Sequence, residues 1–415
     1  MSLLSVSSRY ALRSLRRNAR RTALSVFGVA FGVGIGLFAL AFVRGEETLS
    51  LDSAAGGGIG HLRFTPEGWN ESRDADLRLP DWESLLQRVR AADGVEVATP
   101  RASVGGLLGL GTRSSHVMLT GVEPESEFRA LRYLRGIEEG RYLEAGEEGA
   151  IVVGRAIADR LGAELDDELV VTSVDDEGEM QSRLLVVVGI VSTGSRPIDQ
   201  TIAHVVLSEV EVLSGRAGAA EITLLGDDPN GIEALQEALS PLTPEGAELL
   251  SWLDVSPELR NNLEGDDAFM DMAIFIILLV VLMGVASAQL TGVLERRKEF
   301  AVLAAVGMRG LSLVRVVLVE GIALGVGSAA LALLWISPLL YKASTDGIDL
   351  GAAYDMEGGW ALGGILMEPI IHPEFGLWVV PTALFLSLTA TVVASLYPAW
   401  FAARTNPASA LRVDR

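Results

Sequence analysis

Residues 272–308 read MAIFIILLVVLMGVASAQLTGVLERRKEFAVLAAVGM, and three properties of this stretch decide the fold. Residues 272–294 carry no charge, and the run is long enough for a helix to cross a bilayer, which takes about 20 apolar residues. Residues 295–299 are all charged, three basic and two acidic. Residues 301–308 are apolar again but too few to span, and Gly307 predicts a helix stop. The pattern predicts a span that exits into a short amphipathic helix on the face of the membrane where basic residues are retained.

Three further uncharged runs lie at residues 22–43, 321–341 and 375–403. Charge settles which side each connection faces. Residues 1–21 hold six Arg and no acid, residues 295–315 five basic and two acidic residues, and residues 400–415 three Arg and one Asp. Residues 44–267 hold 18 Arg, no Lys and 43 Asp or Glu, a net −25, and residues 343–374 hold six acids and no base. The sign reverses at every crossing, so both termini and the 295–310 link are predicted to be cytoplasmic and the acidic segments external. The expected fold class is an α-helical membrane protein with four transmembrane helices, one plus three, and a large α+β extracytoplasmic domain. The spans are placed at 22–43, 268–294, 311–341 and 375–403, the external domain at 44–267, a second external loop at 342–374 and a cytoplasmic tail at 404–415.

The first run is expected to stay as an anchor. It exceeds the 7–15 residues usual for a signal-peptide core, and Arg44-Gly45-Glu46-Glu47 follows it where a small-residue cleavage site would stand. Before it, Arg9, Arg13, Arg16 and Arg20 recur at helical spacing, predicting a basic amphipathic helix on the inner leaflet, in contact with membrane lipids. The chain has no cysteine, which excludes disulfides and thiolate chemistry. The acidic external face argues against nucleic acid as a partner.

Within the external segment, His61 to Phe64 predicts a strand, and Trp82, Leu85, Leu86 and Val89 recur at spacings of 3 and 4, predicting a helix. A glycine-rich stretch from Gly105 to Gly111 predicts a hairpin. Residues 221–225, 232–239 and 248–253 predict strand, helix, strand. Between these flanks a β-rich insert is placed at about 140–214. Small residues four apart mark faces on three spans: Gly28, Gly32 and Gly36; Gly284, Ala288 and Gly292; Gly321, Gly325 and Ala329. Such ladders let helix backbones approach closely in lipid.

Catalytic motifs are missing. No G-x-x-x-x-G-K-[ST] phosphate loop and no G-x-S-x-G elbow occurs. His61, His116, His204 and His372 are scattered, with no metal-ligand spacing, so no metal and no cofactor on this chain is expected. Glu320 is the carboxylate set furthest into a span, and a charge at that depth is a functional candidate; Arg315 or Arg404 is its expected partner.

The link ERRKEFAVLAAVGM (295–308) resembles the signature of FtsX/MacB-type ABC transporter permeases. Tyr397-Pro398-Ala399-Trp400-Phe401-Ala402-Ala403-Arg404 with Asn406-Pro407 and Ala410-Leu411-Arg412 resembles that family's ending, and Arg13 to Asn18 its start. The resemblance implies that residues 295–310 are a coupling helix docked on a separate ABC ATPase, two copies of which carry the ATP and Mg. By resemblance, Phe300, Leu303 and Met308 would be its apolar contacts, with Arg296 and Glu299 setting register. A second permease chain, identical or paralogous, is implied too.

Residues 187–194 with Asp199 resemble the strand-turn-strand of the LolC/LolE-like lipoprotein-releasing branch. That implies a hairpin tip carrying Thr193, Gly194, Arg196 and Asp199 as a docking loop for a periplasmic carrier, a lipoprotein substrate, and a bacterial inner-membrane location with the large domain in the periplasm. On this reading ATP hydrolysis on the partner drives lipoprotein release by mechanotransmission. MacB-like efflux of peptides or drugs, FtsX-like regulation of a cell-wall hydrolase, and a membrane receptor with a ligand-binding ectodomain remain as alternatives.

Overall fold

The computed structural model describes residues 17, 19–72, 77–228, 231–306, 308, 310–351, 360–362 and 365–404. Of the expected N-terminal amphipathic helix, residues 1–16 and 18 lie outside the described residues, as do Gly307 and the motif residues after Arg404. In chain order the main helices are α1 (Ala19–Gly56), α2 (Trp82–Arg90), α3 (Pro124–Ala130), α4 (Arg155–Leu161), α5 (Leu207–Ser214), α6 (Ile232–Leu239), α7 (Pro257–Glu295), α8 (Arg297–Ala305), α9 (Gly310–Asp346) and α10 (Val379–Ala403). The strands are β1 (Leu62–Pro66), β2 (Val95–Leu110), β3 (Arg113–Val122), β4 (Ile137–Gly140), β5 (Ala150–Gly154), β6 (Glu168–Val174), β7 (Met180–Val191), β8 (Ala203–Val206), β9 (Glu221–Gly226) and β10 (Ala247–Ser251). The described residues form two compact units, one drawn from 1–46, 265–348 and 372–415, the other from 47–264 and 349–371.

The first unit is a helix bundle. Helices α1, α7, α9 and α10 are long and apolar enough to cross a membrane. At about 1.5 Å per residue, α1, α7 and α9, with 38, 39 and 37 residues, run well beyond the uncharged runs at 22–43, 272–294 and 321–341. Apolarity sets the length in lipid. The helices continue past it because no breaker intervenes until the Gly-rich stretch after α1, Pro257 at the start of α7, and Gly347. Gly347 takes φ +76° and donates its N–H to the Ala343 carbonyl at 3.0 Å, a left-handed stop that favours glycine. Inside the bundle Val33, Leu37, Val285, Ala332, Ile336, Leu340 and Ala383 form one core. Trp335 stacks on Phe31 at 5.7 Å and its indole N–H donates to the Ala30 carbonyl at 3.3 Å.

The second unit is a ten-stranded mixed sheet, and its register corrects the expected insert. The strand order is β10-β1-β9-β2-β3-β8-β5-β7-β4, while β6 pairs with both β2 and β7. The path β2-β3-β8-β5-β7-β6 therefore returns to β2 and closes a six-stranded barrel. Its lumen holds Val104, Leu108, Val117, Leu119, Ile151, Val153, Leu169, Val171, Leu185, Val187 and Val205, lidded by Ile157 and Leu161 of α4 and Val210 and Leu213 of α5. The segment read as an insert at about 140–214 is thus no separate piece, because it supplies four barrel strands while the hairpin at residues 95–122 supplies the other two. The N-terminal half of β2 pairs with β9 instead (Thr99 opposite Thr223). It continues a flatter sheet on which α2 and α6 bury Leu85, Leu86, Val89, Ile232, Leu235 and Leu239.

Candidate functional site

The site is built where α7 meets α8. Arg296 is the single residue between the two helices, and its side chain points inward. Its Nη1 and Nη2 donate to Glu320 Oε1 and Oε2 at 2.8 and 2.7 Å, and its Nε donates to the Gly292 carbonyl at 3.2 Å. Both residues of the pair are 3% exposed. The guanidinium lies 5.2 Å from the Phe300 ring centroid, within cation–π range. Helix α9 places Glu320 on its buried face, with Val316, Val317, Gly321 and Leu324. Glu320 therefore pairs with Arg296, and neither Arg315 nor Arg404, the expected partners, occupies that place; Arg404 stacks on Trp400 at 4.3 Å.

The apolar side of α8 is turned into the bundle. Phe300 is fully buried with Val293, Leu313, Val317, Ala399 and Ala402, and Leu303 and Met308 pack at the edge of the same cluster. Phe300 and Arg296, which the resemblance implied as an apolar contact and a register-setting residue of a docked helix, are thus buried within this chain. The resemblance implied that the apolar side of the link is the side presented, but in this bundle it is the side that anchors. The opposite side carries Lys298, Val302 (49% exposed) and Val306 (83% exposed), one above another at i, i+4, i+8. Glu299 pairs with Arg17 at 2.5 Å and Glu295 with Arg21 at 2.8 Å, so the two acids of the link meet the basic start of α1.

Of the glycine ladders, Gly321 and Gly325 face Ser395 and Thr391 of α10, Gly32 faces Val281, and Gly292 faces the Arg21 guanidinium. Ala288 is half-buried. Beside Gly28, Gly36 and Gly284 no heavy atom lies within 4 Å of where a Cβ would stand, so close helix approach within the chain does not use them.

The segment expected as a docking hairpin is not a hairpin. Strand β5 lies between β7 and β8, and residues 192–202 cross over it. Thr193 donates its N–H (2.9 Å) and its hydroxyl (2.7 Å) to Asp199 Oδ1, and Asp199 is 4% exposed. Gly194 and Arg196 stay exposed. The turn satisfies its own polar groups, and Asp199 is spent on holding it.

His61 and His204 do structural work. His61 Nδ1 accepts the Gly226 N–H at 2.9 Å. His204 meets the Tyr142 hydroxyl at 2.9 Å through Nδ1, and burial, partly offset by Glu127, pushes it down to about 4. Among the described residues no cluster of His, Asp or Glu could hold a metal. The unfolded chain takes up a proton on His204 below about pH 6.5, whereas the folded chain resists until about 4. Stability should therefore be flat in this respect above pH 6.5 and fall by about 3 kcal/mol between there and pH 4. Thermal unfolding across that range should show this slope, and His204→Gln should lack it; equal slopes would exclude His204 as the source.

Two family models match the chain: the MacB-like periplasmic core domain over residues 22–242 and the FtsX-like permease C-terminal over residues 272–407. The chain is 22% identical to the lipoprotein-releasing system transmembrane protein LolC of Neisseria meningitidis serogroup B, covering 99% of this chain and 100% of that protein. It is 20% identical to the corresponding LolE of Haemophilus influenzae, covering 93% of each. The periplasmic region of MacB from Actinobacillus actinomycetemcomitans covers 48% of this chain and 91% of its own length, at 19% identity and a TM-score of 0.35.

Proposed function

Since the chain belongs to the FtsX/MacB-type permeases, close to LolC and LolE, we propose that it is the non-catalytic membrane subunit of an ABC complex that releases lipoproteins from the inner membrane to a periplasmic carrier. ATP and Mg bind two copies of a partner ATPase, and a second permease chain, identical or paralogous, completes the complex. Both termini face the cytoplasm. The observation that carries this reading is α8: a short helix fixed from behind by Arg296 and Phe300, with Lys298, Val302 and Val306 free on its outer side. A helix held in this way moves with α7 and α9, so a push on its outer face becomes a shift of two spans rather than a local bend. The docking contacts on this chain are then Lys298, Val302 and Val306 in place of Arg296 and Phe300, and Leu303 and Met308 serve as the helix's seat.

The test is a mild-detergent pull-down of the tagged chain with mass spectrometry. An ATPase together with an acylated lipoprotein supports the proposal. An ATPase with an outer-membrane duct adaptor or a cell-wall hydrolase moves the reading to MacB-like efflux or FtsX-like regulation, and no ATPase refutes it. Val302→Asp with Val306→Asp should cut ATPase retention at least about tenfold. Because both side chains are solvent-facing, chain stability should change by no more than about 0.5 kcal/mol. Unchanged retention would remove this face from the interface.

A further inference from the structure

We propose that Glu320 is a positioning residue: through the two-pronged bond to Arg296 it fixes the orientation of α8 against α9, and so aims the Lys298–Val302–Val306 face. The inference rests on the reading of α8 as the coupling helix only for its consequence, not for its geometry.

Three observations converge on it. Arg296 stands at the junction of α7 and α8, its N–H bonded back to the Gly292 carbonyl at 3.3 Å and its own carbonyl accepting the Phe300 N–H at 3.0 Å, so whatever holds its side chain holds that junction against α9. The contact is bidentate, at 2.8 and 2.7 Å. A planar guanidinium meeting a carboxylate edge-on is defined in direction as well as distance, which a single hydrogen bond is not. The remaining donors and faces of Arg296 are also used, Nε by the Gly292 carbonyl at the end of α7 and the π-face by Phe300 in α8. One side chain is therefore tied to α7, α8 and α9 at once.

Burial makes this arrangement two-state. At 3% exposure neither group is solvated where it stands, so a half-made pair is costly and the orientation is either locked or lost. Simple stabilisation of the bundle would not need this chemistry, because well-packed apolar residues of similar volume stabilise at least as well as a buried ion pair. What apolar residues cannot supply is the direction.

That contrast provides the test. Glu320→Gln alone leaves Arg296 buried and unpaired and is expected to misfold, so the informative variant is Arg296→Met with Glu320→Leu, which removes both charges together. The chain has no cysteine, so Val302→Cys on α8 and Leu396→Cys on α10 give two unique spin-label sites for distance measurement in nanodiscs. With the ion pair intact, a single narrow distance is expected. In the double apolar variant, the melting temperature should stay within about 3 °C of the parent while the width of the distance distribution should about double. Arg296→Lys, which keeps the charge but not the two-pronged geometry, should broaden it too. A distribution as narrow as the parent's in the double variant overturns the proposal. In complexes with the partner ATPase, the double variant should retain the ATPase but lose about tenfold in stimulated turnover. If no ATPase is retained even by the parent while the distances broaden as expected, the functional reading has failed and the positioning role stands.

Discussion

Glu127→Gln is expected to destabilise the external unit by about 3–5 kcal/mol, lowering its melting temperature by roughly 10 °C for a unit of this size. Glu127 on α3 is 1% exposed and Arg101 on β2 is 5% exposed. Arg101 Nε donates to Glu127 Oε2 at 2.9 Å, its Nη2 lies 2.9 Å from Oε1, and the Thr99 hydroxyl donates to Oε2 at 2.9 Å. The nearest other acid, Glu221, is 3.8 Å from Arg101 and is already held by Arg63 at 2.8 Å. The amide would therefore leave a buried guanidinium with only a distant share of one carboxylate. The effect spreads because of what Arg63 and Arg101 hold. Both donate to the Gly58 carbonyl, and Arg63 also to that of Ile59, at 3.0 Å. These carbonyls follow directly on the C-terminal end of α1, where the helix dipole favours cations. Hydrogen exchange should accordingly quicken at β2, α3 and residues 54–60 together, while the barrel strands β5 to β7 keep their protection. A melting temperature within about 2 °C of the parent, measured on the full chain in nanodiscs, would show that the network contributes little.

Elements defined by local period were readable in the sequence. The 3 and 4 spacing of Trp82, Leu85, Leu86 and Val89 gave α2, and strand, helix, strand at residues 221–253 reappear as β9, α6 and β10. The glycine-rich hairpin is β2 and β3, paired from Arg101–Val122 to Leu110–Arg113. Barrel closure was not readable, because it depends on β6 pairing Val170 to Thr172 with Gly109 to Leu107, some sixty residues away. Alternating strands state which face is buried but not which strand lies beside them. The site was half legible for the same reason. Glu320 stood out as a carboxylate within a span, and Arg296 as part of a charged link, yet their meeting depends on the rotation of α9 about its own axis relative to α7 and α8. Helical phase fixes which residues share a face of one helix; it does not fix which face meets a neighbour. A motif resemblance has the same limit: it names Phe300 in the link but not the side it faces, and here Phe300 anchors its own helix.

The bundle makes the second large prediction, since α9 and α10 approach closely at two glycines of α9. A Cβ on Gly325 would stand 2.5 Å from Thr391 Oγ1 and 3.2 Å from the Leu388 Cα, and one on Gly321 would collide with Ser395 Oγ and lie 3.2 Å from the Thr391 carbonyl oxygen. The two hydroxyls are short, buried and bonded to carbonyls of their own helix, Thr391 to Ser387 at 2.8 Å and Ser395 to Thr391 at 2.6 Å, and backbone stands just behind them, so a branched side chain there pushes α9 and α10 apart. In lipid no hydrophobic force draws them back, because lipid tails cover the exposed faces as well as the opposite helix does. Separation would strip the contacts made further along by Ala329 and Ala332 and leave Ser328, Ser387 and Thr391, all fully buried, facing hydrocarbon. Against this, replacing a mid-helix glycine gains only about 0.5–1 kcal/mol of backbone entropy. Gly325→Val should therefore cost at least about 3 kcal/mol, seen as a shift of the unfolding midpoint in an SDS titration and as loss of folded chain from the membrane. Gly284→Val is the matched control, because it meets no atom within 4 Å in the chain and should be neutral or slightly stabilising. Equal tolerance of valine at the two positions would mean that α9 and α10 do not approach at the glycines, and that the bundle holds together by some other face.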